Sequence, residues 1–179
     1  ERHLPVTTFT DLGVPETLTR ALTAQGITTP FPIQAATLPD TLRGADVLGR
    51  GRTGSGKTLA FALPVVARLA ASSTRRAPRR PRALVLCPTR ELATQIDATF
   101  APLAAAAGLR TTTVFGGVSQ SRKVTALDRG VDVLVACPGR LEDLITTRDV
   151  RLDEIEIVVI DEADRMADMG FLPAVKRLL

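Results

Sequence analysis

A chain of 179 residues, 45% hydrophobic and 23% charged, has the size and composition of one globular domain, and with six Phe but no Trp or Tyr its core must be aliphatic. The formal charge of +4 points to an anionic partner, yet Arg75, Arg76, Arg79, Arg80 and Arg82 alone exceed that excess, so bulk charge is a poor argument for nucleic acid. Cys87 and Cys137 make neither a disulfide framework nor a zinc site. The apolar runs at 59–71 and 101–109 are too short or interrupted to cross a membrane, no signal-like segment opens the sequence, and a cytoplasmic location is expected.

In chain order, two helical stretches come first, near 15–25 and 32–42. Short β-rich runs follow at 46–49, 83–87, 111–115, 131–137 and 155–160. They alternate with helical patterns at 57–70, 90–107, 120–128 and 141–146. Strand alternating with helix predicts an α/β fold, a doubly wound parallel sheet with helices on both faces. The run 155–160 is almost continuously apolar, as a strand buried on both faces should be. The segment 72–82, SSTRRAPRRPR, reads as a mobile solvated connection, with an auxiliary phosphate-contacting arm as the sharper alternative.

In such sheets, ligands gather at the carboxyl ends of the strands. Each run here is followed by a distinctive peptide: Gly51–Thr58, Pro88–Ala93, Gly116-Gly117, Pro138–Arg140 and Asp161–Asp164. Five such loops at five strand ends describe one functional face.

Gly51-Arg52-Thr53-Gly54-Ser55-Gly56-Lys57-Thr58 fits the P-loop pattern GxxxxGK[ST]. Its glycines let backbone N–H groups turn inward around phosphate oxygens at a helix start. Lys57 supplies a cation for the β- and γ-phosphates, and the Thr58 hydroxyl can ligate Mg²⁺. Asp161-Glu162-Ala163-Asp164 ends the last apolar run. Asp161 suits Mg²⁺ held largely through water, or else a helix N-cap. Glu162 can orient or deprotonate an attacking water. Met166 and Met169 read as core or interdomain packing.

With these motifs in view, the chain resembles the DEAD-box ATP-dependent RNA helicases, most closely the bacterial RhlE group, from Phe9 to Leu179. Gly26-Ile27-Thr28-Thr29-Pro30-Phe31-Pro32-Ile33-Gln34 is similar to the family's Q motif, and Phe9 lies where the family keeps an adenine-stacking aromatic. The Gln34 amide could pair with N6 and N7 of adenine. Pro88-Thr89-Arg90-Glu91-Leu92-Ala93 resembles motif Ia, Gly116-Gly117 the GG element, and Pro138-Gly139-Arg140 motif Ib. The resemblance implies that Thr89, Arg90, Gly116, Gly117, Pro138, Gly139 and Arg140 touch the RNA backbone, blind to sequence.

It further implies a first RecA-like domain, with a Q-motif region at 9–34 and an ATP-binding core at 44–179. That domain is cut before motif III, whose strand the resemblance places between the P-loop strand and the Asp161 strand, so the fold is expected to be incomplete at the C-terminus with a gap in the middle of its sheet. A second RecA-like domain carrying arginine fingers belongs to the parent chain, so this piece alone should be nearly inactive. ATP and Mg²⁺ are the implied cofactors and RNA the implied partner. Three positions depart from the family pattern: Gly51 stands for Ala, Arg52 for Gln, and Cys137 for Thr. Two other readings compete, a nucleotide- and RNA-binding module without catalysis and another P-loop ATPase such as a DNA translocase. The Q motif with Phe9 argues against the translocase.

Overall fold

Four of the five apolar runs become strands, all parallel, in the order β2-β3-β1-β4. They are β1 (Ala83–Leu86), β2 (Thr111–Val114), β3 (Val133–Ala136) and β4 (Ile157–Ile160). The structure is a computed structural model that describes residues 6–52, 54–117 and 121–179. Its residues group into two compact units, one running through Ser72 and including Pro102–Gly108, the other Ser73–Ala101 with Leu109–Leu179.

The first unit is helical. In α1 (Glu16–Ala24), Leu18 and Leu22 stand one turn apart and are buried together. α2 (Pro32–Thr41) opens on a proline, whose fixed φ suits a first helical position. It packs on α3 (Lys57–Ala71), which buries Leu59, Leu63, Val66 and Leu69. The run 46–49 forms no strand, contrary to expectation. A strand exists only through its ladder, and this run pairs with no other, leaving Leu48 88% exposed.

The second unit carries the sheet. To it belong α4 (Arg90–Ala106) through Ala101, α5 (Ser121–Arg129), α6 (Pro138–Thr146), α7 (Ala163–Asp168) and α8 (Leu172–Leu178). Gln120, expected in α5, lies outside the described residues. α7 and α8 were not legible as periodic runs, being too short to show a period. Leu84, Leu86, Val114, Leu134, Leu127, Leu141, Leu144, Met166 and Val175 form one aliphatic core from strands and helices. Burial of each large side chain contributes about 1.5–3 kcal/mol. Met166 is therefore a core residue, whereas Met169 is exposed.

β4 corrects a second expectation. It is an edge strand, and on the face it shares with Leu84 and Leu86 its Val158 and Ile160 are 43% and 38% exposed. An apolar run does not by itself reveal whether both faces are covered.

The arginine-rich segment is neither a loose connection nor an arm. Asp132, 1% exposed, accepts from Arg82 Nη1 at 3.0 Å and from Arg76 Nη1 at 3.0 Å. It also accepts the Arg110 backbone N–H at 2.9 Å. Arg82 reaches Glu156 at 3.1 Å, and Arg79 reaches Asp128 at 2.6 Å. The backbone is clamped as well, Arg79 N–H donating to Leu127 and Arg151 N–H to Arg79, each at 2.7 Å. Arg76, Arg79 and Arg82 are thus partnered within the unit, which argues against their serving as a phosphate-contacting arm. A larger cavity of about 860 Å³, lined by Arg79, Arg80, Ile145 and Arg151, lies beside this segment and away from the motifs.

Removing one partner from a buried charge network leaves the others uncompensated, at about 3–5 kcal/mol. Asp132→Ala should lower unfolding stability by that order, read as a drop in denaturation midpoint. An unchanged midpoint would show that the network is not a structural clamp.

Candidate functional site

The first unit holds the phosphate-binding pattern. Gly54 and Gly56 have φ of +81° and +80°, values that need glycine, and Gly56 ends the turn as the N-cap of α3. A Cβ on Gly51 would meet Ser55 Oγ at 2.5 Å and Ile33 Cδ1 at 2.8 Å, so an Ala here, as the family has, would need those two side-chain ends to shift. A Cβ on Gly56 would collide with Phe31 and with Gln34 Nε2. Among the described residues, buried Ser55 Oγ has no hydrogen-bond partner, a sign of a group that a ligand completes. Lys57 and Thr58 follow on the first turn of α3, both half-buried. Arg52 is exposed, and Thr53 lies outside the described residues.

Gln34 and Phe9 are not placed as expected. Gln34 is 3% exposed; its Oε1 accepts the Phe31 N–H at 2.9 Å and its Nε2 donates to the Gly56 carbonyl at 3.0 Å. Both ends of the amide are thus used by protein, one capping α2 and one holding the P-loop. Phe9, 3% exposed, is a core side chain with no open stacking face. Sequence spacing could locate these residues but not show what already occupies them. Beside them a cavity of about 670 Å³ is lined by Phe31, Ile33, Gly51, Gly54 and Ser55.

The second unit presents the other motifs along one row of the sheet. Beyond the paired row of Val114, Ala136, Leu86 and Ile160, the ladder continues by one step. Cys137 N–H donates to Val114 at 2.9 Å, Cys87 N–H to Ala136 at 3.1 Å, and Asp161 N–H to Leu86 at 2.9 Å. Asp161 is therefore a buried carboxylate fixed at a strand end. The N-cap of α7 is Glu162, not Asp161, which sets aside the capping alternative. Glu162 has φ 53° and ψ 49°, a left-handed conformation costly for a non-glycine residue and typical of functional sites. Its Oε2 pairs with Arg165 Nη1 at 3.2 Å, a partner that the motif alone does not announce.

Three further turns open from the same row. Thr89 Oγ1 caps α4 by accepting the Leu92 N–H at 3.2 Å. Arg90 is exposed and lies against Gly117, whose φ is +83° and whose added Cβ would stand 3.2 Å from Arg90 Nη1. Arg140 Nη2 approaches Gly116 in the same way at 4.0 Å. Its Nε has no hydrogen-bond partner, and Asp143 is 3.6 Å from Nη1. Pro138 and Gly139 start α6, capped by Cys137 without any side-chain bond. The structure thus brings Arg90, Arg140, Gly116 and Gly117 together.

Cys87 and Cys137 are neighbours there, one step beyond the Leu86–Ala136 pair, with the Cys87 thiol donating to the Thr89 carbonyl at 3.7 Å and to the Ala136 carbonyl at 3.9 Å. The interaction between the two thiols holds Cys137 below its ordinary pKa and pushes Cys87 above it, with burial adding to the rise at Cys87. Among the described residues no group of three or more His, Cys, Asp or Glu is placed to hold a metal. No helix there is long and apolar enough to cross a membrane.

A model of the DEAD/DEAH box helicase family matches residues 31–179. The chain belongs to that family. ATP-dependent RNA helicase RhlB of Pasteurella multocida (strain Pm70) is 43% identical over 171 residues, 96% of this chain and 40% of that protein. DEAD-box ATP-dependent RNA helicase 20 of Oryza sativa subsp. japonica is 41% identical over 175 residues, 98% of this chain and 35% of that protein. The fold matches the crystal structure of the RNA-helicase Prp28 from Chaetomium thermophilum bound to ADP, with TM-score 0.90 and 36% identity over 98% of this chain and 43% of that one. The helicase chain spans well under half the length of these relatives.

Gly56 gives a direct test of the turn geometry. An alanine there must adopt a left-handed φ and displace Phe31 and Gln34. Gly56→Ala should destabilise the chain by about 1–3 kcal/mol in chemical denaturation. Wild-type stability would mean that the turn is not held as described.

Proposed function

We propose that this chain is the ATP-binding, RNA-gripping first RecA-like domain of an ATP-dependent RNA helicase. The observation that carries this reading is the glycine-rich turn opening α3, with two left-handed glycines and a buried Ser55 hydroxyl that has no partner among the described residues. N–H groups at a helix start, with Lys57 beside them, suit the β- and γ-phosphates of ATP. Gln34 reads adenine by exchanging its bond to Gly56, so base recognition loosens the P-loop latch.

Thr58 offers a hydroxyl and Asp161 a buried carboxylate, each a hard oxygen of the kind Mg²⁺ takes while keeping most of its waters. When bound, the ion would neutralise charge on the phosphate oxygens. Glu162 takes the proton of the attacking water, and its ion pair with Arg165 fixes where the carboxylate points.

The RNA backbone lies on Thr89, Arg90, Gly116, Gly117, Pro138, Gly139 and Arg140. Two guanidinium groups and a glycine turn offer donors to phosphates without reading bases. In the whole protein a second RecA-like domain supplies the remaining charge stabilisation for hydrolysis, which drives remodelling of short RNA duplexes in the cytoplasm.

Glu162→Gln in the whole protein should retain ATP and RNA binding and lose hydrolysis by about 10²–10⁴-fold, since the amide cannot accept the proton. Lys57→Ala is the contrasting variant and should lose ATP binding itself. Near-normal turnover by Glu162→Gln would move the base elsewhere and refute this assignment.

A further inference from the structure

We propose that Cys87 and Cys137 are an oxidisable dithiol, and that their disulfide weakens RNA binding by shifting the two turns that carry Arg90 and Arg140. The proposal rests on the RNA-backbone reading above for its consequence, but not for the disulfide itself.

Geometry carries it. β1 and β3 are neighbours in register, Leu86 beside Ala136, and the ladder bond from Cys87 N–H to the Ala136 carbonyl keeps the next step in register. Adjacent strands lie about 4.8 Å apart. That spacing falls inside the roughly 4.4–6.8 Å between Cα atoms that a disulfide spans. Register partners share a face, so the two thiols project from neighbouring strands on one side of the sheet, the Cys87 thiol now donating to the Thr89 carbonyl at 3.7 Å. The sequence marked Cys137 as a departure from Thr and the two cysteines as no disulfide framework; their adjacency is what the fold adds.

The chemistry needs a peroxide as oxidant. Cys137 is half-buried and Cys87 fully buried, so the peroxide meets Cys137 first. The Cys137 thiolate attacks one peroxide oxygen; the sulfur–oxygen bond forms, the oxygen–oxygen bond breaks, and hydroxide leaves to take up the proton the thiol had lost. Cys87 sulfur then displaces the hydroxyl of the sulfenic acid, and that hydroxyl leaves as water with the Cys87 proton. Two thiols lose two electrons and two protons, and the peroxide becomes two waters.

The consequence follows from position. Cys87 precedes Pro88 and Thr89, whose hydroxyl caps α4 just ahead of Arg90. Cys137 is itself the N-cap of α6, three residues before Arg140. Drawing the sulfurs to about 2 Å moves both helix starts, and with them both arginines relative to Gly116 and Gly117. A thiol reductant reverses the change.

The test treats the reduced whole protein with hydrogen peroxide, maps disulfides by peptide mass spectrometry, and measures binding to a single-stranded RNA before and after. A Cys87–Cys137 linked peptide is expected, with RNA affinity about tenfold weaker and restored by dithiothreitol. Cys137→Thr keeps a side chain the family tolerates there and should bind RNA equally well with and without peroxide. Absence of the linked peptide, with Cys137 oxidised alone, overturns the dithiol. A linked peptide with unchanged RNA affinity overturns the regulatory effect. Failure of the reduced protein to bind RNA at all would refute the RNA-backbone reading instead, leaving the disulfide to be judged by the peptide map.

Discussion

The register of one parallel sheet is the constraint on which the second unit depends. Because β2, β3, β1 and β4 end on the same row, the residues that follow are delivered side by side. A one-residue slip in any strand would turn its side chains to the opposite face. Cys137, Cys87 and Asp161 are each fixed by a ladder hydrogen bond before the chain leaves the sheet. Their positions are therefore set by backbone pairing and owe little to their own side chains. From that row, short turns project Arg90, Gly117, Arg140 and Glu162 with little freedom.

Charge divides in the same way. At the amino ends of the strands, Asp132 ties down Arg76 and Arg82 just before β1 and β3 begin. At the carboxyl ends, Arg90 and Arg140 have only long contacts of 3.6 Å to Glu91 and Asp143. Surface pairs of that length contribute little. So Arg76, Arg79 and Arg82, which look like part of a nucleic-acid patch in the sequence, are fasteners within the unit. Arg90 and Arg140 are isolated arginines inside motifs.

Much of the candidate site was legible because its residues are constrained one by one. A glycine that must adopt a left-handed φ, a lysine after it, and carboxylates after an apolar run leave a readable pattern. The fold class was legible from the alternation of apolar runs with helical periods. What failed had a common cause, since local pattern does not report partners. The run 46–49 has strand composition but no ladder, and the run containing β4 is apolar but covered on one side only. The motif marks Gln34 for adenine but does not show that its amide also bridges Phe31 and Gly56. The segment 72–82 looked solvated because the carboxylates that neutralise it come from positions 128, 132 and 156, far along the chain.

Hydrogen–deuterium exchange of the whole protein, with and without RNA and a non-hydrolysable ATP analogue, tests this division most directly. Protection is expected in peptides covering 88–93, 114–117, 137–141 and 161–164, with 75–82 unchanged. Protection of 75–82 on adding RNA, with no change at 88–93 and 137–141, would contradict the account. It would return the RNA to the arginine-rich segment.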